Sequence, residues 1–320
     1  MAPEQHVIPS AVRPESTKAS PSTGASTTRI AIGIASAGRR EVLSAVLPLI
    51  ARQTRRPDEV IVCLCSTADI DQHSIDMLDC PGKVILSQRG LCRQRNAILT
   101  AVTADVVLFL DDDFLMAPDY LGELERLFEE NPGIAMSTGT VVADGIIGPG
   151  ISIEVGLETI DATKGKPRAA ERLEPVYNAY GCNMAIRMAA VRRGQLRFDE
   201  NLPLYGWLED VDFSRLVAAH GSIVRSNRLL GVHLGTKISR TPGVKFGYSQ
   251  IANPIYLVRK KTMSLPIAAV QVARNLIANI VKVWKPEPWV DRKGRLRGNA
   301  RACLDLFLGR LGPRNVEGLE

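Results

Sequence analysis

The fold is decided by one stretch of nine residues, which reads Asp105-Val106-Val107-Leu108-Phe109-Leu110-Asp111-Asp112-Asp113. Its continuous apolar run is typical of a strand buried on both faces of a parallel sheet. Three adjacent carboxylates repel one another, so a bound cation would stabilise this end of the strand. Ligands of such sheets bind beyond the carboxyl ends of the strands. The stretch therefore predicts a buried strand that delivers acidic side chains to a binding site.

Segments of the same kind lie on the N-terminal side of this stretch. Apolar runs at 30–35, 59–64 and 83–86 alternate with stretches of helical spacing at 40–53 and 91–102. Strands and helices in this order form right-handed crossovers and build a parallel sheet. We therefore predict an α/β fold with a Rossmann-like, mostly parallel sheet flanked by helices.

The three carboxylates after Leu110 are typical of a metal site. Alternation along an extended chain places Asp111 and Asp113 on the same side. Two oxygen ligands at the mouth of a sheet suit Mg²⁺ or Mn²⁺, which keep further positions for water and phosphate. The alternative is an acidic turn whose aspartates cap the helix predicted near Pro118.

The composition narrows the class of protein. The chain has 320 residues, of which 45% are hydrophobic and only 5% aromatic, so it forms a full core but disfavours a base-stacking nucleic-acid surface. Residues 1–28 are rich in Ser, Thr and Pro and are predicted to be a disordered leader. The six cysteines form no paired CxxC sets, and the N-terminus lacks an apolar signal sequence. We therefore expect a cytoplasmic protein with reduced thiols.

Three segments together resemble one family. Residues 107–113 resemble the DxD motif of family 2 glycosyltransferases, which have the GT-A fold. Residues 89–97 resemble the Gly…Ala-Arg-Asn segment that precedes DxD in that family, and residues 51–60 resemble its Gln-x-x-x-Pro-x-Glu link into the second strand. The resemblance covers roughly residues 29–260.

The resemblance implies roles for the first half of the chain. In the family, the first Asp of DxD approaches the ribose and the last binds the metal, here Mn²⁺ or Mg²⁺. Asp111 is therefore expected on the ribose side and Asp113 on the metal, while Asp112 suits either role. Arg95 is expected to face the diphosphate of the nucleotide sugar, although an ordinary surface arginine is the alternative.

Recognition of the nucleobase departs from the family pattern. Family members carry an Asp-Asp-Gly-Ser-x-Asp run after the second strand, where this chain has Cys63-Leu64-Cys65-Ser66-Thr67-Ala68-Asp69. Asp69 is the nearest carboxylate, and Ala35 at the end of the first strand is placed beside it on the nucleotide. The choice between UDP, GDP and dTDP donors stays open.

The second half of the chain resembles the acceptor side of the same family. Residues 178–187 resemble its Gly-x-Asn-Met-x-x-Arg segment, which lies beside the donor sugar and acceptor. Gly181 would allow close backbone approach, and Asn183 would bond a sugar hydroxyl. A strand that enters a helix at Met188 is the alternative.

The stretch 205–214 resembles the family's Trp-x-Glu-Asp-x-Asp-Phe element. Inverting transfer needs a carboxylate that takes the proton of the acceptor hydroxyl, and Asp210 is the predicted base, with Glu209 second. Trp207 is placed beside the acceptor. The alternative is an acidic helix start, which the helix dipole stabilises. His233, beyond the next predicted strand, is a candidate for completing the metal site, since some GT-A enzymes do so with a late histidine.

The last third of the chain is basic and partly apolar. From Arg259 onward there are 13 Lys and Arg against 5 Asp and Glu. Residues 264–284 form an apolar helix interrupted by charged and amide side chains, which is typical of a helix lying in a membrane interface. Packing on the catalytic domain is the alternative. Peripheral contact with an anionic inner membrane surface would fit a lipid-linked or polysaccharide acceptor.

Four regions follow from this interpretation. They are the leader, a nucleotide-sugar-binding half at 29–142, an acceptor and catalytic half at 143–260, and a basic helical extension at 261–320. The predicted function is metal-assisted, inverting transfer of a sugar from a nucleoside-diphosphate sugar. Two alternatives remain, a non-catalytic protein that keeps the fold and a dinucleotide-dependent oxidoreductase suggested by Gly33 to Gly38.

Overall fold

The computed structural model describes residues 28–163 and 170–319, so the predicted leader lies outside the described residues apart from Thr28. The strands are β1 Ile30–Ser36, β2 Glu59–Leu64, β3 Gly82–Leu86, β4 Val106–Leu110, β5 Phe114–Met116, β6 Ile134–Asp144, β7 Leu173–Pro175, β8 Asn183–Arg187 and β9 Ser222–His233. The α-helices are α1 Arg40–Val46, α2 Gln72–Asp76, α3 Leu91–Ala101, α4 Tyr120–Glu130, α5 Ile153–Asp161, α6 Met188–Gly194, α7 Glu209–Val217, α8 Gly243–Lys260, α9 Leu265–Lys282 and α10 Arg292–Phe307. Short 3₁₀ helices span Leu47–Arg52, Thr67–Asp69 and Pro313–Gly318.

The nine strands of the described residues belong to one mixed sheet. Its order is β3-β2-β1-β4-β8-β6-β9-β5, and β7 pairs with β9 beside this path. The neighbours from β3 to β4 are parallel, β8 is antiparallel to β4 and β6, and β6 is parallel to β9. The predicted α/β fold with a largely parallel sheet is therefore confirmed. Because β4 pairs with β8, the two halves proposed from the sequence share one sheet.

The sheet has a core on each face because the strand side chains alternate. In β4, Val107 and Phe109 enter the core formed with α3, α6 and α7, whereas Leu108 enters the core formed with α1 and α4. The predicted helix at 40–53 differs in one respect, since α1 ends at Val46 and a 3₁₀ helix follows. Pro48 lies at the start of that second helix and has no backbone N–H with which to continue the first one.

The C-terminal helices pack on one another through glycines. A Cβ at Gly298 in α10 would lie 2.0 Å from the carbonyl oxygen of Val244, and one at Gly247 in α8 would lie 2.1 Å from that of Arg295. The backbones of α8 and α10 are therefore in direct contact. Helix α9 lies against them with one face only. Its outward side chains include Val270, Ile277, Ile280 and Val281, and Trp284 is exposed just beyond its end. Within the described residues, no helix is both long enough and apolar enough to cross a bilayer.

Candidate active site

The site lies where the parallel strands β1, β2 and β4 end. Buried Gln94 in α3 donates hydrogen bonds to the carbonyl oxygens of Ser36 (2.8 Å) and Cys63 (2.9 Å), which fixes the ends of β1 and β2 side by side. Ala35 is partly exposed at this edge, and Asp69 ends the 3₁₀ helix that follows β2. The structure thus brings both residues to the edge where ligands bind, and their contacts with a nucleotide stay a prediction.

A tight turn, and not an extended chain, separates the three aspartates. The turn closes where the backbone N–H of Phe114 donates to the carbonyl oxygen of Asp111 at 3.1 Å. The side chains of Asp111 and Asp113 face one way, toward His233, and Asp112 faces the other. The predicted pairing of Asp111 with Asp113 is therefore reached through a turn. None of the three caps helix α4, whose N-cap is Asp119.

His233 joins the two aspartates because β9 runs beside β5 and β6. Its register partners are Phe114 in β5 and Asp144 in β6. His233 Nε2 lies 3.4 Å from Asp113 Oδ1 and 3.8 Å from Asp111 Oδ2, and one ligand atom from each of the three residues lies within 4.8 Å of the others. On its other side, His233 Nδ1 donates to Asp144 Oδ1 at 2.9 Å. Asp144 therefore fixes the orientation of the imidazole.

Charges in this cluster shift two pKa values in opposite directions. Burial opposes ionisation of Asp113, but His233, Arg39 and the backbone N–H of Thr236 outweigh it and lower the pKa of Asp113 to about 2. Burial also opposes protonation of His233, yet Asp113 and Asp144 raise the pKa of His233 to about 10. The protonated imidazole thus supplies positive charge to a cluster of carboxylates.

The cluster fits a divalent cation. Asp113 Oδ1 is buried and has no hydrogen-bond partner within the described residues. Two carboxylates and an imidazole form a donor set for which Mn²⁺ is suited, since Mn²⁺ accepts carboxylate oxygens and tolerates a nitrogen ligand better than Mg²⁺ does. Asp144 holds the imidazole from behind, as second carboxylates commonly do at such sites.

Asp112 serves a different purpose from its neighbours. It is buried and accepts hydrogen bonds from Ser36 Oγ (2.5 Å) and Arg39 Nη1 (2.7 Å). Burial raises the pKa of Asp112 to about 6, against the attraction of Arg39. Arg39 in turn donates to the carbonyl oxygen of Ile238 at 3.1 Å, in the loop that follows His233. Asp112 thus ties the end of β1 to that loop.

Arg95 connects the acidic cluster to the predicted base region. Its guanidinium is buried, 2.6 Å from Glu209 Oε1 and 3.3 Å from Asp111 Oδ1, and it donates to the carbonyl oxygen of Gly181 at 2.9 Å. Burial raises the pKa of Glu209, and the charge of Arg95 opposes that shift. Since the side chain of Arg95 is 2% exposed, the structure places it beneath the site and not on its open face.

Asp210 is partly exposed beside this buried pair. Its Oδ2 accepts from the backbone N–H of Gly181 at 3.1 Å, and its Oδ1 accepts from that of Val211 at 2.8 Å. Burial raises the pKa of Asp210 above the usual value for an aspartate. A Cβ at Gly181 would lie 3.2 Å from Glu209 Oε1, so a glycine keeps this approach open. Helix α7 also begins at Glu209, as the alternative of an acidic helix start predicted.

The two side chains predicted to contact sugar, Asn183 and Trp207, differ in exposure. Asn183 is fully buried, and its amide oxygen accepts from Thr138 Oγ1 (2.7 Å) and the backbone N–H of Gly139 (2.6 Å). It therefore stabilises the pairing of β6 with β8, and we do not propose that it contacts sugar. Trp207 is partly exposed, with its ring 5.7 Å from that of Phe246.

Sequence reasoning missed three residues of the site. Arg39 follows β1 at the edge where ligands bind. The one signal in the sequence that could have identified it is its position just after the end of a strand. Asp144 is 89 residues from His233, and only the β6–β9 pairing brings them together. Thr236 contributes a backbone N–H, which donates to Asp113 Oδ2 at 2.8 Å and leaves no sequence signal.

Comparison with solved structures gives the class of this fold. The structure is similar to S. aureus TarS 1–349 in complex with UDP-GlcNAc, with a TM-score of 0.54 at 14% identity, covering 91% of this chain and 83% of that chain. It is also similar to GalNAc-T7 with UDP, GalNAc and Mn²⁺, with a TM-score of 0.54 at 14% identity, covering 89% and 59%. Against the longer S. aureus TarS chain, this one spans 43% of the length. The fold is of the GT-A type found in glycosyltransferases.

The family follows from the sequence match. The chain matches the glycosyl transferase family 2 over residues 31–194, which is half of its length. It therefore belongs to that family, as the resemblance implied. A search of curated proteins gave no match.

Proposed function

We propose that this glycosyltransferase moves a sugar from a nucleoside-diphosphate sugar to a hydroxyl acceptor with inversion at the anomeric carbon. The observation that carries the proposal is the meeting of Asp111, Asp113 and His233 at the strand ends, with the partly exposed Asp210 across the buried Arg95. Family membership supports the reaction class. Because two structural neighbours hold UDP or a UDP-sugar, a uridine donor is the first to test.

In this mechanism Asp210 is the general base. The acceptor hydroxyl gives its proton to Asp210, its oxygen bonds to the anomeric carbon, and the bond from that carbon to the diphosphate breaks. A carboxylate with a raised pKa is a stronger base, which favours Asp210 for this step. Glu209 is held by Arg95 and keeps that cation fixed beneath the site.

Asp111, Asp113 and His233 would hold Mn²⁺ on the donor side, with Asp111 also placed toward the ribose. A divalent ion there would supply positive charge to the departing diphosphate. Asp113 is held for this task by Thr236, and His233 by Asp144. The side chains of Asp113 and His233 are therefore oriented before a metal ion or nucleotide binds, which lowers the reorganisation that binding requires.

Calorimetry tests the donor side of the proposal. UDP, GDP and dTDP are titrated with and without Mn²⁺ into the wild type, Asp113→Ala and Asp76→Ala, the last being an exposed aspartate on α2 that serves as the control. We expect one nucleotide to bind only with Mn²⁺, and Asp113→Ala to abolish that binding while Asp76→Ala does not. If no nucleoside diphosphate binds, a non-catalytic protein that keeps the fold becomes the better interpretation.

We further propose that the protein works on the cytoplasmic face of a membrane, on a lipid-linked or polysaccharide acceptor. The outward face of α9 and the residues just after it support this, since Ile277 on the helix is 60% exposed and Trp284, two residues past its end, is 90% exposed. An apolar helix face with a terminal Trp and nearby basic residues suits the interface of an anionic bilayer.

Vesicle flotation tests the membrane contact. Ile277→Ser and Trp284→Ser should each lower the fraction bound to phosphatidylglycerol vesicles about tenfold, because each removes apolar area that would be buried in the bilayer. Phe307→Ser is the control, because Phe307 is 88% exposed at the end of α10, on another helix. Equal loss in all three variants, or no binding by the wild type, would contradict this proposal.

A further inference from the structure

A surface recess is lined in part by the residues that precede Asp210 in the chain, and its lining residues fall outside the range that matches the family. It is a shallow pocket, open to solvent, whose walls include Tyr205, Trp207, Phe246 and Val316. A ligand here would lie against the walls of the pocket and would not be enclosed by them. Val316 belongs to the C-terminal extension, so the extension completes the pocket.

The pocket belongs to the same electrostatic region as the predicted base. Desolvation, followed by the charges of Asp111 and Glu209, raises the pKa of Tyr205. The loop that carries the pocket is also conformationally unusual, because Leu204 and Leu208 have φ values of 58° and 72°. Such left-handed conformations cost free energy in residues other than glycine and are common at functional sites.

Aromatic rings form one wall of the pocket. The Phe246 ring lies 6.4 Å from that of Tyr205 and 5.7 Å from that of Trp207. Tyr205 is 49% exposed and the other two are partly exposed. Aromatic faces of this kind offer apolar contact to the C–H groups of a sugar ring, with little conformational entropy to lose.

Two cations next to this wall lack an acidic partner. The guanidinium of Arg295 lies 4.6 Å from the centroid of the Phe246 ring, and that of Arg240 donates to the backbone carbonyl oxygens of Thr236 and Gly235 in its own loop. Across the part of the chain that the structure describes, neither forms an ion pair with a carboxylate. Burial, together with the charges of Arg292 and Arg240, lowers the pKa of Arg295 to about 10.

The carboxylates nearest to Arg295 are already engaged. Glu287 binds Arg292 and Lys282, and Asp291 accepts from the backbone N–H of Gly294 at 2.7 Å. Two guanidinium groups that repel each other and have no anionic partner are stabilised by a ligand anion. Guanidinium is well suited to phosphate, which it binds through two parallel hydrogen bonds.

We infer that this pocket is the acceptor subsite and that it takes a saccharide bearing a phosphate group, with the aromatic wall against the sugar and Arg240 and Arg295 against the phosphate. The inference rests on the proposed glycosyl transfer. The acceptor hydroxyl would then lie toward Asp210, which follows Trp207 by three residues. A lipid-linked sugar phosphate and a soluble one share this chemistry.

Saturation-transfer NMR tests the inference on the full chain with UDP and Mn²⁺ present. The probes are the 1-phosphates of glucose, galactose and N-acetylglucosamine, the corresponding neutral methyl glycosides, and the octyl esters of the same phosphates. The variants are Arg240→Gln and Arg295→Gln. Arg297→Gln is the matched control, because Arg297 is exposed on α10 two residues later and points to the opposite side of the helix. Circular dichroism and thermal unfolding check that each variant is folded.

We expect at least one sugar phosphate to bind about tenfold more tightly than its methyl glycoside. Arg240→Gln and Arg295→Gln should weaken that binding about tenfold, and Arg297→Gln should not. Tighter binding of the octyl ester would identify a lipid-linked acceptor, and equal binding a soluble one. The inference is overturned if no sugar phosphate binds, if the glycosides bind equally well, or if both variants lose UDP affinity instead. Failure of the proposed function would be seen in a different measurement, because the wild type would then show no Mn²⁺-dependent nucleotide binding.

Discussion

Asp144→Asn isolates the contribution that Asp144 makes to metal binding through His233, since Asp144 itself is not one of the proposed metal ligands. The asparagine keeps the shape of the side chain and an oxygen for His233 Nδ1, now 2.9 Å from Asp144 Oδ1. It removes the negative charge and alters the bond that Tyr180 donates to Oδ2 at 3.0 Å. The imidazole would then bind Mn²⁺ with less basicity and a less fixed orientation.

The expected magnitude follows from the position of Asp144. Loss of such a supporting carboxylate lowers metal affinity about 10–100-fold, or about 1.4–2.7 kcal/mol. The side chain of Asp144 is 29% exposed, so solvent screens part of its charge, and the lower half of that range is expected. We therefore predict a loss of Mn²⁺ affinity of about 10–30-fold at pH 7.5.

Free Mn²⁺ can be counted by electron paramagnetic resonance in a titration of wild type and variant, with and without UDP. Tyr180→Phe is the control, since it removes the bond to Asp144 and leaves the charge, and it should lower the affinity less than threefold. Mn²⁺ binding by Asp144→Asn that equals the wild type would refute the reasoning that Asp144 supports His233. So would an equal loss in Tyr180→Phe.

Three further predictions concern the base and the packing of the helices. Asp210→Asn should lower kcat about 10²–10⁴-fold with UDP affinity unchanged, and because a base must be deprotonated, the wild-type rate should fall on the acid side at a pH above the ordinary aspartate value of about 4. Gly298→Ala should lower the free energy of unfolding by about 1–3 kcal/mol, measured by chemical denaturation, because the new Cβ would meet the backbone oxygen of Val244. Asp212→Asn should lower the free energy of unfolding by about 2–3 kcal/mol, because Asp212 is buried and accepts a hydrogen bond from Lys260 Nζ at 2.7 Å, although Lys260 also binds Asp199.

Each of these has an outcome that would contradict it. Full activity in Asp210→Asn would assign the proton transfer elsewhere. Gly133→Ala is the control for Gly298→Ala, since a Cβ at Gly133 would meet nothing within 4 Å, and equal destabilisation of both would exclude the packing argument. Unfolding of Asp212→Asn at the wild-type denaturant concentration would mean that Asp199 and solvent compensate fully for the lost charge.

The local pattern of the chain was sufficient for the strands and helices near the site. Buried runs such as Val106–Leu110 are apolar throughout because both faces of the strand are covered, and this pattern can be read without coordinates. The order of strand and helix then leaves few topologies, and the strand-end rule places Asp111 and Asp113 at a binding edge. The position of Asp210 at the start of a helix could also be read from the sequence, because acidic residues favour the first turn of a helix.

The tertiary structure decided which distant groups meet. His233 reaches Asp113 only because β9 pairs with both β5 and β6, and those pairings depend on the packing of the whole sheet. Arg95 was expected on the surface of the site, but its guanidinium is buried between Glu209 and Asp111, where charges on separate elements balance one another. The sequence by itself thus determined the class of fold and the acidic edge, because these depend on local periodicity. The orientation of each charged side chain depends on long-range contacts, which local pattern does not encode.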